Sequence, residues 1–396
     1  MRYLYPAKNY IEMLKSNGNY RYFLPIKNTN SYLSYSKNDK YINWCNNDYN
    51  RITQNKFLKQ EMIESINEYG IGAGGTRNIS GSSPTHFMLE DTVAKLHNKD
   101  KGLIFNSGFI ANFSTIETLG NLYPNASIFS DSDNHSSIIK GIKISKIRKK
   151  KIFKHNDMNH LEYLLKNDEA YYKIIVIESM YSMDGSIAPL KDICFLKEKY
   201  NTFTFIDEIH AVGVYGKTGG GFTEIYNLQD KFDIIMGGFG KGFGSIGGYI
   251  TGNEHIIDSV RSNSSGFIFT TAPPPHISLS TIKNINFVQN NIIDRQIHRN
   301  KNIEYFKQML EYYDIQYIKN NFYQSHIIAI LIGDSIKCNE ISKILLEKYN
   351  HYVQPINYPT VPMRTERFRI SINFDHTKLA IDNFIESLHK ILKSYD

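Results

Sequence analysis

The spacing of apolar positions changes near residue 101. From there, short apolar runs at 103–105, 126–131, 173–179, 203–208, 233–238 and 247–252 alternate with stretches of helical period. Nearly continuous apolar strands joined by crossover helices predict a mostly parallel central sheet with helices on both faces, an α/β fold. Ahead of it lie a short amphipathic helix and a strand around 41–45. Ser83-Pro84 then supplies an N-cap with proline at the first helical position, and Phe87, Leu89, Val93 and Leu96 continue as a helical stripe. After Pro273-Pro274-Pro275 the period predicts a long helix to about Tyr313. A smaller α+β segment follows, with strands at 326–333, 351–355 and 367–372, a helix near 335–349 and a closing helix. The expected division is an N-terminal arm, 1–50, a large α/β domain, 51–290, and a C-terminal α+β domain, 291–396.

Ligands of such sheets gather beyond the carboxyl ends of the strands. Those ends read Asn134-His135, Glu178-Ser179-Met180-Tyr181-Ser182, Asp207-Glu208-Ile209-His210, and Gly237-Gly238-Phe239-Gly240-Lys241-Gly242-Phe243-Gly244. Taken singly, Lys241 reads as a loop lysine, Asp207 as a helix cap, and His135 and His210 as ordinary satisfied histidines. Jointly they put an acid, an amine and two imidazoles on one rim. A lysine in a desolvated pocket can serve as an amine nucleophile. An aldehyde cofactor such as pyridoxal phosphate (PLP) needs that amine, and its ring nitrogen needs a buried carboxylate, which Asp207 can supply.

Composition narrows the class. Hydrophobic residues at 41% and charged residues at 21% place the chain among globular proteins, away from disorder. The net charge of +7 is concentrated in residues 140–154. That stretch reads first as a solvated helix end and edge strand, second as a site for a phosphate-rich ligand such as coenzyme A, and last as a nucleic-acid surface, for which no binding motif is present. Cys45, Cys194 and Cys338 have neither disulfide nor zinc spacing and fit a reducing compartment. The first residues lack a signal-peptide core, and no apolar run nears the ~18 residues a membrane span needs. A cytoplasmic protein is expected. Gly70-Ile-Gly72-Ala-Gly74-Gly75 and Gly242-Phe-Gly244-Ser-Ile-Gly247 both match G-x-G-x-x-G. Neither follows a first strand and opens a helix, so both are read as chance matches.

Longer motifs then occur in order: WCNNDY at 44, GAGGTRNISG at 72, NHSSIIKGI at 134, FKHND at 153, YSMDG at 181, IDEIHAVGVYG at 206, GFIFTT at 266 and VQPINYPTVP at 353. With them the chain resembles, over nearly its whole length, the α-oxoamine synthases, which are fold-type I PLP enzymes. The segment Thr76-Arg77-Asn78-Ile79-Ser80 resembles the branch that makes 5-aminolevulinate. The resemblance implies condensation of glycine with succinyl-CoA, with loss of coenzyme A and carbon dioxide, for tetrapyrrole (haem) synthesis. The alternatives are a glycine C-acetyltransferase or 8-amino-7-oxononanoate synthase, or a non-catalytic subunit of such an enzyme.

Residue by residue, the resemblance implies that Lys241 holds PLP as a Schiff base and later moves the glycine α-proton. It gives Asp207 the pyridinium proton, stacks His135 on the ring, and sets His210 and Ser182 by the phenolic oxygen. Gly108 and Phe109, at a helix N-terminus, would receive the phosphate, with Thr270 and Thr271 supplied by the partner subunit. Arg369 would grip the glycine carboxylate with Asn47 nearby, and Arg21 the succinyl carboxylate. Thr76, Asn78 and Ile79 would shape the succinyl pocket, while Ser137, Lys154 and Thr360 would contact substrate or coenzyme A. A homodimer with active sites at the subunit interface is implied, with no metal, nucleic acid or membrane partner. The chain departs from the family at Gly238, where a phosphate-binding threonine is usual; that hydrogen bond is worth ~1.5–3 kcal/mol. Gly242 and Phe243 replace Ala and Tyr after the lysine, and Met363-Arg364 replaces Arg-Gly.

Overall fold

The structure is a computed structural model that describes residues 2–28, 33–34 and 40–395. It divides into two compact units: 48–182 with 187–296, and 1–47 with 183–186 and 297–396.

In chain order the N-terminal segment carries α1 (Leu4–Ser16) and the two-residue strands β1 (Lys27–Asn28), β2 (Leu33–Ser34) and β3 (Ile42–Asn43). The larger unit then runs α2 (Lys56–Tyr69), α3 (Pro84–Leu96), β4 (Lys101–Phe105), α4 (Gly108–Leu122), β5 (Ser127–Asp131), α5 (Ser136–Ile144), β6 (Lys149–Phe153), α6 (Met158–Lys166), β7 (Lys173–Glu178), α7 (Leu190–Tyr200), β8 (Phe203–Asp207), α8 (Phe222–Ile225), β9 (Ile234–Gly238), β10 (Gly248–Gly252), α9 (Glu254–Asn263) and α10 (Ser265–Ile268). The long α11 (Pro275–Tyr312) comes next, followed by β11 (Ile327–Leu331), α12 (Ser335–Tyr349), β12 (His351–Tyr352), β13 (Pro355–Ile356), β14 (Arg367–Ser371) and α13 (Lys378–Lys393).

The central sheet of the larger unit has the order β4-β10-β9-β8-β7-β5-β6. Only β10 opposes its neighbours; β9, β8, β7, β5 and β6 pair in parallel. Both faces are covered, which explains the unbroken apolar runs. Leu103, Phe105 and Ile250 pack into one cluster with α4, α5 and α9, while the intervening Ile104 and Tyr249 pack into another with α3 and α11. This is the period-two alternation of a strand between two helical layers. The basic stretch 140–154 becomes the end of α5 and the edge strand β6.

The Ser83 cap forms as expected: its hydroxyl accepts from the Thr85 N–H at 3.4 Å, and His86 Nδ1 accepts from the Ser83 N–H at 3.1 Å. Leu89, Val93 and Leu96 are buried, but Phe87 is 54% exposed. Its ring lies against the Arg77 guanidinium, 5.1 Å away, so this member of the stripe serves a loop and not the core.

In the smaller unit, β11-β14-β13 form an antiparallel sheet. Its core gathers Trp44, Phe306, Ile328, Ile370, Ile381 and Phe384. Helix α1 buries none of its residues. Arg364 sits at φ +66°, so the left-handed backbone that the family's glycine would favour is kept by an arginine. No helix among the described residues is long and apolar enough to cross a membrane.

Candidate active site

Ligands of such a sheet meet the polar side chains at its strand ends, and here the carboxyl ends of β5, β7, β8 and β9 are neighbours. Asp207 closes β8 and is 2% exposed. Its Oδ1 accepts from the Ile209 N–H at 2.8 Å and its Oδ2 from Asn112 Nδ2 at 2.7 Å. Burial pushes this carboxyl up, while Asn112, the Ile209 N–H, Lys241 and His135 pull it back toward the ionised form. Glu178, in register with Asp207, ends β7. Its Oε1 accepts the His135 backbone N–H at 2.5 Å. Burial first, and then the charge of Asp207, raise the Glu178 pKa well above the carboxylate range.

Lys241 follows β9 in the glycine-rich turn. Here Gly242 is required by space: a Cβ would meet the Val212 carbonyl oxygen at 2.2 Å. The carbonyl oxygens of Gly213 and Gly242 both accept from Asn50 Nδ2, at 2.5 and 2.8 Å, which fixes the turn. Lys241 Nζ lies 3.0 Å from His210 Nε2, and His210 Nδ1 lies 2.8 Å from the Tyr49 hydroxyl. At the start of α4 the Ser107 hydroxyl accepts from the Ile110 N–H at 3.2 Å, leaving the N–H groups of Gly108 and Phe109 for a ligand. Asn106 Nδ2, next to that cap, donates to Thr270 Oγ1 at 3.2 Å and to the Thr271 carbonyl at 2.9 Å. The His135 ring stands edge-on to Phe109, 6.3 Å between centroids, with Nδ1 2.7 Å from the Ser137 hydroxyl. Ser182 is half-buried just beyond β7.

The Thr76 hydroxyl donates to Asn78 Oδ1 at 2.7 Å. Between them Arg77 turns inward to a bidentate ion pair with Glu90, at 2.9 and 3.1 Å, with its guanidinium against the rings of Phe87 and Phe267. The loop is therefore anchored from below. Ile79, at its tip, is 82% exposed, and Lys154 is exposed beyond β6; neither is drawn into the cluster. In the smaller unit, Arg21 donates to Thr360 Oγ1 at 2.9 Å beside a cavity of about 380 Å³ that Tyr20, Phe23, Asn357 and Tyr358 also line. Arg369, 6% exposed on β14, donates to Asn47 Oδ1 and Ser371 Oγ, both at 3.2 Å.

An amine, a buried carboxylate that accepts from two donors, an imidazole and a helix N-terminus with two open N–H groups fit PLP. Tyr49, Asn112 and Glu178 belong to this cluster although no role was read for them in the sequence. Asn112 stands one helical turn after Gly108, a spacing that puts it on the same face of α4; Tyr49 ends the WCNNDY motif, and Glu178 was visible at a strand end.

A family model described as aminotransferase class I and II matches residues 39–388. The chain belongs to the class I and II aminotransferase family. Within that family it is 44% identical over 386 residues to the 5-aminolevulinate synthase of Rickettsia bellii (strain RML369-C), covering 97% of this chain and 92% of the relative. It is 40% identical over 393 residues to that of Rhizobium meliloti (strain 1021), covering 97% and 96%. A serine palmitoyltransferase from S. paucimobilis, solved with PLP and myriocin bound, shares the fold with a TM-score of 0.88 at 22% identity, over 98% of this chain and 97% of that one. The expected fold-type I α/β architecture is thus present in this aminotransferase-family chain.

The departure at Gly238 has a steric counterpart. A Cβ there would meet Ile209 Cγ1 at 2.4 Å and Cδ1 at 2.6 Å. Ile209 fills the space a threonine would need. Gly238→Thr is expected to destabilise by about 1–3 kcal/mol through overpacking. Gly238→Thr combined with Ile209→Ala should recover most of that loss and bind PLP more tightly than either single variant. Denaturant midpoints and cofactor titration check both expectations; a fully stable single threonine variant would count against the steric account.

Proposed function

We propose that this protein is a 5-aminolevulinate synthase, condensing glycine with succinyl-CoA and releasing coenzyme A and carbon dioxide. The observation that carries the reading is the meeting of Lys241, His210 and Asp207 at one sheet rim, in a chain matching 5-aminolevulinate synthases over nearly its full length. PLP is the cofactor; when bound it supplies an electron sink for carbanion charge at the glycine α-carbon.

The chain's own residues do the rest. Lys241 Nζ is the amine that holds the cofactor and, once displaced by glycine, takes the α-proton. Asp207, which accepts from Asn112 and the Ile209 N–H, would hold a proton on the pyridine nitrogen. His135 covers the ring, and His210 and Ser182 hold its phenolic oxygen. The N–H groups of Gly108 and Phe109 take the phosphate, with Thr270 and Thr271 contributed across a homodimer whose active sites lie at the subunit interface. Arg369 with Asn47 orients the glycine carboxylate. Arg21 binds the succinyl carboxylate, Thr76, Asn78 and Ile79 shape the acyl pocket, and Lys154 and Thr360 contact substrate or coenzyme A; Ser137, fully buried with its hydroxyl between Asn112 and His135, acts on the imidazole and not on substrate. Domain limits at 50 and 290, a cytoplasmic location and haem synthesis as the product's fate complete the reading.

Purified protein given PLP, glycine and either succinyl-CoA or acetyl-CoA tests it. 5-Aminolevulinate formed from succinyl-CoA supports the reading, whereas preference for acetyl-CoA points to a sister synthase. Arg21→Leu removes a charge-assisted contact to the distal carboxylate, which is worth ~1.5–3 kcal/mol. The KM for succinyl-CoA should rise by roughly 10–100-fold and that for glycine should hardly change. Equal losses for both substrates would reject the assignment of Arg21.

A further inference from the structure

His135 is the N-cap of α5, and its ring nitrogen Nδ1 accepts from the Ser137 backbone N–H at 3.3 Å. The Ser137 hydroxyl lies 2.7 Å from the same nitrogen. That hydroxyl in turn accepts from Asn112 Nδ2 at 3.0 Å, and Asn112 gives its other amide hydrogen to Asp207 Oδ2 at 2.7 Å. Each link has a direction. Two acceptors on Nδ2 fix the Asn112 amide, because the reverse orientation would set its oxygen against the Asp207 carboxylate. The Ser137 backbone N–H can only donate, so Nδ1 is the acceptor, and the Ser137 hydroxyl turns its own hydrogen to the same nitrogen. A hydrogen on Nδ1 would meet that backbone N–H head-on.

We propose that Asn112 and Ser137 are positioning residues that hold His135 as a neutral imidazole with its single hydrogen on Nε2. The relay ties the Asp207 carboxylate to the His135 imidazole through four residues from β8, α4, α5 and the loop after β5. Asn112 and Ser137 are buried, at 1% and 0% exposure, so water does not compete for these hydrogen bonds. The His135 backbone N–H is held separately by Glu178. Nε2 is bonded to no described residue and is left as a donor. His135 can therefore donate to a ligand oxygen through Nε2 but cannot take a proton there, which leaves proton abstraction to Lys241.

The charged groups that bear on the ring agree. His135 is open on one side, but desolvation of its enclosed edge lowers its pKa; Asp207 raises it and Lys241 lowers it. Glu178, the remaining acid against it, is pushed toward its neutral form.

The catalytic consequence rests on the reading of His135 as the residue over the PLP ring; the tautomer does not. The test is therefore made on cofactor-free protein labelled with 15N in its histidines, with the His135 signals assigned by their loss in His135→Asn. Wild type should show Nε2 protonated and Nδ1 bare. Ser137→Ala should mix the tautomers and raise the titration midpoint of His135 by about one pH unit, since a hydrogen bond to the neutral form is removed. Ser137→Thr, which keeps the hydroxyl, should restore both. The acid limb of kcat/KM should move in the same order. A hydrogen on Nδ1 in wild type overturns the proposal without any variant, and so does a Ser137→Ala spectrum identical to wild type. A chain with the expected tautomer that makes no 5-aminolevulinate supports the relay and overturns only the functional reading.

Discussion

Lys241→Ala is expected to abolish turnover of glycine and succinyl-CoA. Proton transfer by a positioned side chain is worth ~10²–10⁴-fold by itself, and the covalent hold on the cofactor is lost as well. The loss should not come from unfolding. Lys241 is half-buried on a turn whose shape is set by Asn50 and by the close packing of Gly242, and those contacts survive the substitution. Melting behaviour should thus stay near wild type while the visible absorbance of lysine-bound PLP disappears. Full activity in this variant would remove the centre of the proposed function.

Asp207→Asn should bring the second-largest loss, on the order of 10²–10³-fold in kcat, the range seen when a preorganised electrostatic partner is removed. The change is nearly isosteric, but it removes both the charge and the oxygen that Asn112 donates to. The Ile209 N–H keeps an acceptor, but the new amide would put NH₂ against NH₂ at Asn112, where the carboxylate now accepts at 2.7 Å. The neighbouring Glu178 gives a second readout. Asp207 is one of the causes that raise its pKa, so neutralising Asp207 should shift Glu178 toward ionisation at lower pH. Steady-state kinetics and the infrared carboxyl band of Glu178 measure the two effects. Near wild-type kcat would show that the ring nitrogen does not depend on this carboxylate.

Much of this was legible in the sequence, for reasons particular residues make clear. Strands such as β7 and β8 lie between two helical layers, so their apolar runs announced both the sheet and the polar residues forced to its rim. Helix starts were legible where chemistry marks them, as at Ser83-Pro84. Side-chain pairing across elements was not. The contact of Asn112 with Asp207 joins residues 95 positions apart, and no local pattern encodes it. Phe87 kept the helical period yet turned outward, because Arg77, ten positions earlier, needed its ring. Ile209 filling the space beside Gly238 was invisible for the same reason: the sequence shows a glycine at 238 but not the neighbour packed against it.

The edge strand β6 carries a consequence for how the folded chain behaves at high concentration. It ends the seven-stranded sheet, so among the described residues no strand pairs with its outer side. Such a row of amides and carbonyls is a template for another chain to extend the sheet. Lys149, Lys150 and Lys151 stand there in succession, two of them exposed and the third paired with Asp168 at 2.7 Å. A second copy docking its own β6 would bring six ammonium groups together. The cluster that dominates the chain's positive charge thereby guards it against sheet-to-sheet aggregation, and replacing these lysines with uncharged residues would trade solubility for stacking.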